Sequence, residues 1–183
     1  MMAAGIAAQN GAKVILLEKM KNPGKKLLIS GKGRCNLTNN SSLADFISHY
    51  NKNGRFLYQS FSHFFAPQLM SFFSSRGVAL TTERGKRVFP KSGKANEVVD
   101  ALLQWLQTHS VEIRLNSRVS DLIINNQSVA GVYCGNTELT GDAVILSTGG
   151  SSYQATGSTG EGYTLLQQYG HTITPLRPAL VPL

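Results

Sequence analysis

The chain has 183 residues, of which 42% are hydrophobic, and a formal net charge of +8 at pH 7. Its length suits one hydrophobic core, and the absence of a long apolar run excludes an integral membrane protein and a membrane partner. Two distant cysteines, Cys35 and Cys134, exclude a disulfide scaffold, and an opening segment without basic residues favours a cytoplasmic protein over a secreted one.

The first elements predict the back half of a dinucleotide-binding unit. Residues 1–10 favour a helix that ends at Asn10-Gly11, and residues 14–17 favour a doubly buried parallel strand closed by Glu18. In such a unit an acid at this place binds the adenosine ribose, about 20 residues beyond the glycine-rich turn. Counting back from Glu18, we expect that turn to lie before Met1.

The next stretch, residues 19–41, has no regular period and predicts a long functional loop with a short strand at 27–29. Its sequence GKKLLISGKGRCN offers glycines that let a backbone approach a planar ligand and N–H groups that can face an anion. The basic residues fall in two windows without acids: Lys19, Lys21, Lys25, Lys26, Lys32 and Arg34, then Arg84, Lys86, Arg87, Lys91 and Lys94. An anionic ligand, a solvated basic face and a nucleic-acid groove are the three interpretations, and the windows lack the interleaved aromatics of a stacking platform.

The middle of the chain predicts a helical insertion at about residues 42–110. Aromatic residues and leucines recur at helical spacing from residue 43 to 76, broken at Asn53-Gly54 and Ala66-Pro67, and indicate a subdomain with its own aromatic core. Residues 78–81 favour a short strand. Residues 95–108 predict an amphipathic helix.

After residue 111 the hydrophobic period changes to two. Short strands are predicted at residues 112–115, 119–124, 128–133 and 142–146, with an antiparallel meander at about 118–140. Residues 143–146 form another doubly buried run that leads into Ser147-Thr148-Gly149-Gly150, where ligands collect at the carboxyl ends of a parallel sheet. Residues 160–169 predict one more helix.

Several segments together are characteristic of a known family. MMAAGIAAQNGAKVILLEK, GKKLLISGKGRCNLTN, VILSTGGSSYQATGSTGEGY and PALVPL resemble, in that order, the BaiN-like, aminoacetone-oxidase-like family of bacterial NAD(P)/FAD-dependent flavoproteins. The resemblance covers essentially the whole chain. Glu161 replaces the aspartate usual in the family's TGSTGDGY segment and keeps the carboxylate.

The resemblance implies an α/β fold: a Rossmann-like FAD-binding domain of the glutathione-reductase type, with a parallel sheet, the antiparallel β-meander and the helical insertion. Family members carry GGGxAG just before the position of Met1 and continue well beyond Leu183. We therefore expect residues 1–183 to be a partial FAD-binding domain truncated at both ends, with a second, substrate-facing domain starting after about residue 175.

The expected cofactor site gathers residues from both halves of the chain. Glu18 would bind the ribose, Lys25, Lys26 and Arg34 would neutralise the pyrophosphate or the phosphate of a nicotinamide cofactor, and the main chain of Val119 would contact the adenine. The expected cofactor-binding residues are Glu18, Lys19, Gly24, Lys25, Lys26, Ser30, Gly31, Gly33, Arg34, Cys35, Asn36, Val119, Thr148, Gly149, Gly150, Gly160 and Glu161. Lys25 and Lys26 could equally be solvated surface, and Cys35 could be a redox thiol or a small buried filler. No catalytic acid or base and no metal site is assigned.

The expected function is that of an FAD-dependent oxidoreductase fragment, in which a hydride or electrons pass between NAD(P)H or a small organic substrate and N5 of the flavin. The expected partner is a small-molecule substrate. No nucleic-acid partner is expected. Two alternatives stay open: a basic nucleic-acid-binding module, indicated by the pI of 9.7 and the two basic windows, and an inactive gene fragment. Without a first strand we expect the isolated chain to bind FAD weakly or to misfold.

Overall fold

The computed structural model describes residues 1–50 and 53–177. The chain divides into two compact units, Met1–Leu115 and Asn116–Leu183. The family-like segment PALVPL, residues 178–183, lies outside the described residues, as does most of the expected start of a second domain after about residue 175.

The first unit combines six helices and five strands within its described residues. The helices are α1 (Met2–Gln9), α2 (Lys25–Gly33), α3 (Leu43–Ser48), α4 (Gly54–His63), α5 (Ala66–Ser74) and α6 (Ala95–Thr108). The strands are β1 (Ile15–Leu17), β2 (Thr38–Asn39), β3 (Leu80–Glu83), β4 (Arg87–Pro90) and β5 (Glu112–Arg114). Three predicted elements are confirmed within one or two residues: the helices at residues 1–10 and 95–108 and the strand at residues 112–115.

A parallel pair of strands forms the α/β part of this unit. β1 pairs with β5 in parallel, with Ile15 opposite Glu112 and Leu17 opposite Arg114. The Glu18 N–H donates to the Arg114 carbonyl at 2.9 Å and extends the pairing by one residue. The predicted parallel strand is therefore confirmed, although its side chains are half-buried rather than enclosed on both faces.

Helix α6 is the centre of the core. Val98 and Leu106 are fully buried, and Leu102 and Trp105 nearly so, because the apolar residues of α6 recur on one face. A Cβ at Gly5 of α1 would overlap the Trp105 ring, so a glycine is what allows α1 to lie close to α6. The parallel strands pack against the same core through Leu16 and Ile113.

The predicted strand at residues 27–29 is wrong, because these residues belong to helix α2. The helix begins after Gly24, which adopts a left-handed conformation (φ 74°) that starts the turn. Lysine and leucine are good helix formers, and the helix directs both Leu27 and Leu28 onto the core around α6. Three successive apolar residues fit a buried strand or a half-buried helix equally well in a short window.

A second sheet, antiparallel with the order β2-β4-β3, was not predicted as a whole. β4 pairs with β3, with Glu83 opposite Arg87, and β2 pairs with the other edge of β4, with Thr38 opposite Val88. Val88, Phe89 and Pro90 are buried. β4 lies inside the second basic window, where its three apolar residues are hidden among charged ones in the sequence.

Helices α3, α4 and α5 lie in the part of the chain where the sequence predicts helical spacing. Phe46 of α3 packs edge-on against Phe61 and Phe65, at centroid distances of 5.5 and 5.1 Å. α4 begins at Gly54 and α5 at Ala66, the two places where the sequence interrupts the helical period. Phe56, however, is 86% exposed, so not every aromatic of the insertion belongs to this small core.

The second unit contains a three-stranded meander and one helix. Strands β6 (Asp121–Asn125), β7 (Ser128–Cys134) and β8 (Thr137–Thr140) pair antiparallel in chain order, and α7 spans Glu161–Gln168. The predicted meander and the predicted final helix are both confirmed. After α7, the Tyr169 hydroxyl donates to the Asp121 carboxylate at 2.7 Å and ties the helix to β6.

The predicted strand at residues 142–146 is wrong in this structure. These residues form no strand, and Ile145 is 66% exposed. A doubly buried strand needs a hydrogen-bonded neighbour at each side, and no strand among residues 1–50 and 53–177 pairs with this segment.

Candidate functional site

Glu18 stands at the carboxyl end of β1, the place that the sequence predicts for a ribose-binding acid. Its Oε1 accepts a hydrogen bond from the Met20 N–H at 2.8 Å, which fixes the turn after the strand. Burial lowers the pKa of the Met1 amino group, while the charge of Glu18 acts in the opposite direction. The second oxygen of the Glu18 carboxylate can still accept a hydrogen bond from a ligand.

Two predicted residues, Lys25 and Lys26, occupy the first turn of α2. No acidic side chain accompanies them there. Positive side chains at a helix N-terminus are unfavourable because they add to the positive end of the helix dipole, so an anion bound nearby would relieve this repulsion. Gly24, just before them, is needed for packing, because a Cβ there would lie 2.9 Å from a methyl of Val99 in α6.

The end of α2 is a left-handed turn rather than regular helix. Ser30 is extended, and Gly31, Lys32 and Gly33 follow with φ of 56°, 57° and 84°. A Cβ on Gly31 would lie 2.7 Å from the backbone nitrogen of Asn36 and 3.0 Å from the Phe89 ring. A Cβ on Gly33 would meet only the Leu28 carbonyl, at 3.9 Å. Gly31 is thus enclosed by protein, whereas Gly33 leaves its backbone open to a ligand.

The next predicted residues, Arg34 and Asn36, form contacts with the antiparallel sheet. The Arg34 Nη1 lies 2.8 Å from Oε1 of Glu83, and its guanidinium stacks 4.1 Å from the Phe89 ring centre. The side-chain amide of Asn36 is oriented so that its nitrogen donates to the backbone carbonyls of Thr38 and Val88, at 3.1 and 3.2 Å. These contacts fasten the turn to the antiparallel sheet. Their role toward a cofactor stays a prediction.

Cys35 is buried, with 1% of its surface exposed. Burial, the larger effect, raises the pKa of the Cys35 thiol, while a hydrogen bond with Ser30 lowers it. Because the thiolate is the reactive form of cysteine, a buried thiol with a raised pKa favours the filler interpretation over a redox thiol.

In the second unit, the two predicted glycine-rich stretches pack together at the start of α7. The Gly160 N–H donates to the Gly150 carbonyl at 3.2 Å. A Cβ on Gly162 would overlap the Thr148 hydroxyl, and the would-be Cβ of Gly149 (φ 77°) lies 3.7 Å from the hydroxyl of Ser158, a buried polar residue. This cluster of glycines gives the backbone the close packing that side chains would prevent.

The cluster also presents unpaired backbone donors. No hydrogen bond is formed by the N–H groups of residues 148–150 to any of the residues that the structure describes. Exposed backbone donors of this kind suit oxygen atoms of a ligand, above all anionic ones.

Glu161 and Val119 are the remaining predicted residues. Glu161 occupies the first turn of α7, where a carboxylate is favourable, and its Oε1 lies 3.2 Å from Nη2 of Arg118. Val119 lies just before β6 and is half-buried. Lys19 follows directly after Glu18. Arg118 pairs with Glu161, Glu83 pairs with Arg34, and the Arg34 guanidinium lies over the Phe89 ring. The sequence analysis did not identify Arg118, Glu83 or Phe89 as site residues, because their partners are distant along the chain.

Within residues 1–50 and 53–177, no group of three or more histidine, cysteine, aspartate or glutamate side chains is placed to hold a metal ion. None of the helices described here is long and apolar enough to cross a membrane.

Comparison with known proteins adds a family and several relatives. A family model described as the HI0933-like protein Rossmann domain matches residues 1–177. The chain is 34% identical over 185 residues to the 3-dehydro-bile acid delta(4,6)-reductase of Clostridium scindens, covering 100% of this chain and 44% of that protein. It is 29% identical over 188 residues to the ribosomal RNA dihydrouridine synthase of Escherichia coli, covering 100% and 44%, and 29% identical over 186 residues to that of Haemophilus influenzae, covering 100% and 45%. The chain thus spans less than half the length of these relatives.

Proposed function

Because this chain belongs to the HI0933-like Rossmann-domain family, we propose that it is the nucleotide-binding part of a flavin-dependent oxidoreductase and that it holds FAD. The observation that carries the proposal is the position of Glu18 at the carboxyl end of a parallel strand. In dinucleotide-binding units an acid at this point hydrogen-bonds the ribose of the adenosine.

The chemistry of the other predicted residues fits the rest of the cofactor. Lys25 and Lys26, in the first turn of α2, supply positive charge for the two phosphates. In the second unit taken by itself, the N–H groups of residues 148–150, which bond to none of the described residues, are suited to the oxygen atoms of an anionic ligand. FAD, when bound, supplies the ring that takes up and delivers a hydride, and the protein contributes binding, orientation and electrostatics.

We further propose that the whole protein reduces an electron-poor carbon–carbon double bond with NAD(P)H as the source of the hydride. The name of one relative refers to delta(4,6) double bonds, and the name of the other refers to dihydrouridine, which is uridine with one ring double bond reduced. The shared feature is a double bond conjugated to a carbonyl group. A flavin hydride is suited to reducing such a bond.

The test is an absorbance and fluorescence titration with FAD of a form of the protein as long as its relatives. We expect Glu18→Ala to weaken FAD binding about 10- to 100-fold, because it removes a charged hydrogen bond worth about 1.5–3 kcal/mol. Glu18→Gln keeps an acceptor for the Met20 N–H and should lose less. Glu138→Gln, an exposed glutamate of β8, is the matched control and should bind FAD as the unmodified protein does.

The outcomes separate two failures. A protein that takes up no FAD under any condition would contradict the proposed function. A protein that binds FAD equally well with Glu18→Ala would contradict only the role of Glu18.

A further inference from the structure

The antiparallel sheet of the first unit brings the two basic windows of the sequence together. β3 and β4 join through a tight turn at residues 84–86, in which Gly85 and Lys86 adopt φ of 73° and 60°. β2 leads directly from the first window, and its Asn39 side chain donates to the Gly85 carbonyl at 2.8 Å. One small sheet therefore gathers cations that are about fifty residues apart in the chain.

Most of this charge is exposed and uncompensated. The exposed cations of this surface, which we call the basic sheet surface, are Lys32, Arg84, Lys86, Arg87, Lys91 and Lys94. Two acids offset it: Glu83 pairs with Arg34, and Asp45 lies 3.8 Å from Lys86. No acidic side chain in the described part of the chain forms an ion pair with Arg84, Lys91 or Lys94.

The surface also carries a flat stacking element that the sequence pattern did not reveal. Phe89 is buried, and the Arg34 guanidinium lies over its ring, held in that plane by Glu83. The Arg34 side chain keeps 41% of its surface exposed. Guanidinium planes fixed in this way stack on the unpaired bases of RNA, and they can replace the exposed aromatic rings of other RNA-binding surfaces.

We propose that the basic sheet surface binds single-stranded RNA. Exposed cations contact the phosphates, and the Arg34 plane stacks on a base, a role that replaces the cofactor-phosphate contact expected for Arg34 from the sequence. This inference rests on the proposed function, because the RNA would present the ring double bond that the enzyme reduces, and it is in line with the ribosomal RNA named for two relatives. It competes with the expectation, drawn from the sequence, that the protein has no nucleic-acid partner.

The experiment measures binding of the purified protein to a short, fluorescein-labelled, uridine-rich RNA by anisotropy at several salt concentrations. Binding that neutralises Z phosphates of a single strand weakens with a slope of about −0.7 Z in log–log form. The triple variant Arg84→Gln, Lys86→Gln and Lys91→Gln should reduce the steepness of this slope by about 2, since three contacts are removed. Its affinity should fall at least about tenfold at low salt.

A matched triple variant separates the surface from net charge. Lys13→Gln, Arg55→Gln and Arg177→Gln removes the same charge from exposed positions elsewhere, and we expect it to change the slope by less than about 0.5. Equal effects of the two triple variants, or no RNA binding at about 50 mM salt, would overturn the proposal. So would binding to phosphatidylserine vesicles that is as tight as binding to RNA and equally sensitive to the first variant.

The same samples report on the cofactor. Flavin absorbance is recorded for each variant, and we expect it to be unchanged by either triple substitution. If the unmodified protein binds RNA but no FAD, the result would count against the proposed function alone. If it binds FAD but no RNA, the result would count against the basic sheet surface alone.

Discussion

At the scale of single residues, the left-handed turn after α2 depends on two glycines for different reasons. Gly31 is enclosed, because a Cβ would meet the backbone of Asn36, while a Cβ on Gly33 would make only an ordinary contact with the Leu28 carbonyl. The turn thus combines one position that is fixed by packing with one that is free to approach a ligand.

This difference predicts unequal costs of substitution. Gly31→Ala should lower the free energy of unfolding by about 2–4 kcal/mol, the sum of a left-handed conformation and an overlap. Gly33→Ala should cost about 1–2 kcal/mol, because only the conformation is unfavourable. Urea unfolding of both variants measures the difference. Equal losses would show that Gly31 is not enclosed.

The Cys35 thiol gives a second residue-scale prediction, on pH. Since burial raises the pKa of this thiol in the folded protein, its ionisation favours the unfolded state. The contribution of the thiol to stability is complete below the pKa of an unfolded cysteine, about 8.5, and is lost as pH rises through the folded pKa.

We therefore expect iodoacetamide to alkylate native Cys35 far more slowly than denatured Cys35 across the range around pH 8.5. The variant Cys134→Ser leaves Cys35 as the only thiol, and mass spectrometry follows its modification. Rapid alkylation of the native protein below that pH would instead support a reactive thiol.

At the scale of elements, the sequence predicted those helices and strands whose hydrophobic pattern lies within the element itself. α6 and the meander were predicted because their periods of 3.6 and 2 come from one buried face within the element itself. The sequence did not predict β4, because this strand depends on pairing with β3. It predicted a strand instead of a helix at residues 27–29, because the packing of Leu27 and Leu28 on the core around α6 is not visible in a short window of sequence. Of the expected site, the positions of Glu18 and of the two glycine clusters came from the sequence. The Arg34–Glu83–Phe89 group did not, since it depends on contacts across the sheet.

The unpaired segment at residues 142–146 leads to an element-scale prediction. Ile145→Ala should change the free energy of unfolding of this chain by less than about 0.5 kcal/mol, because Ile145 is 66% exposed. Ile123→Ala in β6 is the matched control, and because Ile123 is 7% exposed it should cost about 2–5 kcal/mol. Urea unfolding monitored by circular dichroism measures both variants. A loss of several kcal/mol for Ile145→Ala would mean that the segment is a buried strand in solution.

At the scale of the whole molecule, charge and fold point to different ligands. Six of the chain's 18 lysines and arginines lie on the basic sheet surface, whereas the parallel pair with Glu18 at its end is suited to a nucleotide. A two-stranded parallel sheet is small, since fully covered parallel sheets usually contain four strands or more. We therefore expect the nucleotide site to be weak in a chain that spans less than half the length of its relatives.

This expectation can be measured by ligand-induced thermal stabilisation. A ligand at about one hundred times its Kd adds about 2.7 kcal/mol to the stability of the folded state, which corresponds to a rise in Tm of about 5–10 °C for a protein of this size. For the 183-residue chain we expect FAD to raise Tm by less than about 2 °C at a concentration that gives the full rise in a form of the protein as long as its relatives. FMN, which lacks the adenosine that Glu18 would bind, should give a smaller rise than FAD in that longer form. Equal effects of FAD and FMN would contradict the ribose contact, and a full rise in the short chain would show that its two parallel strands are enough to hold the cofactor.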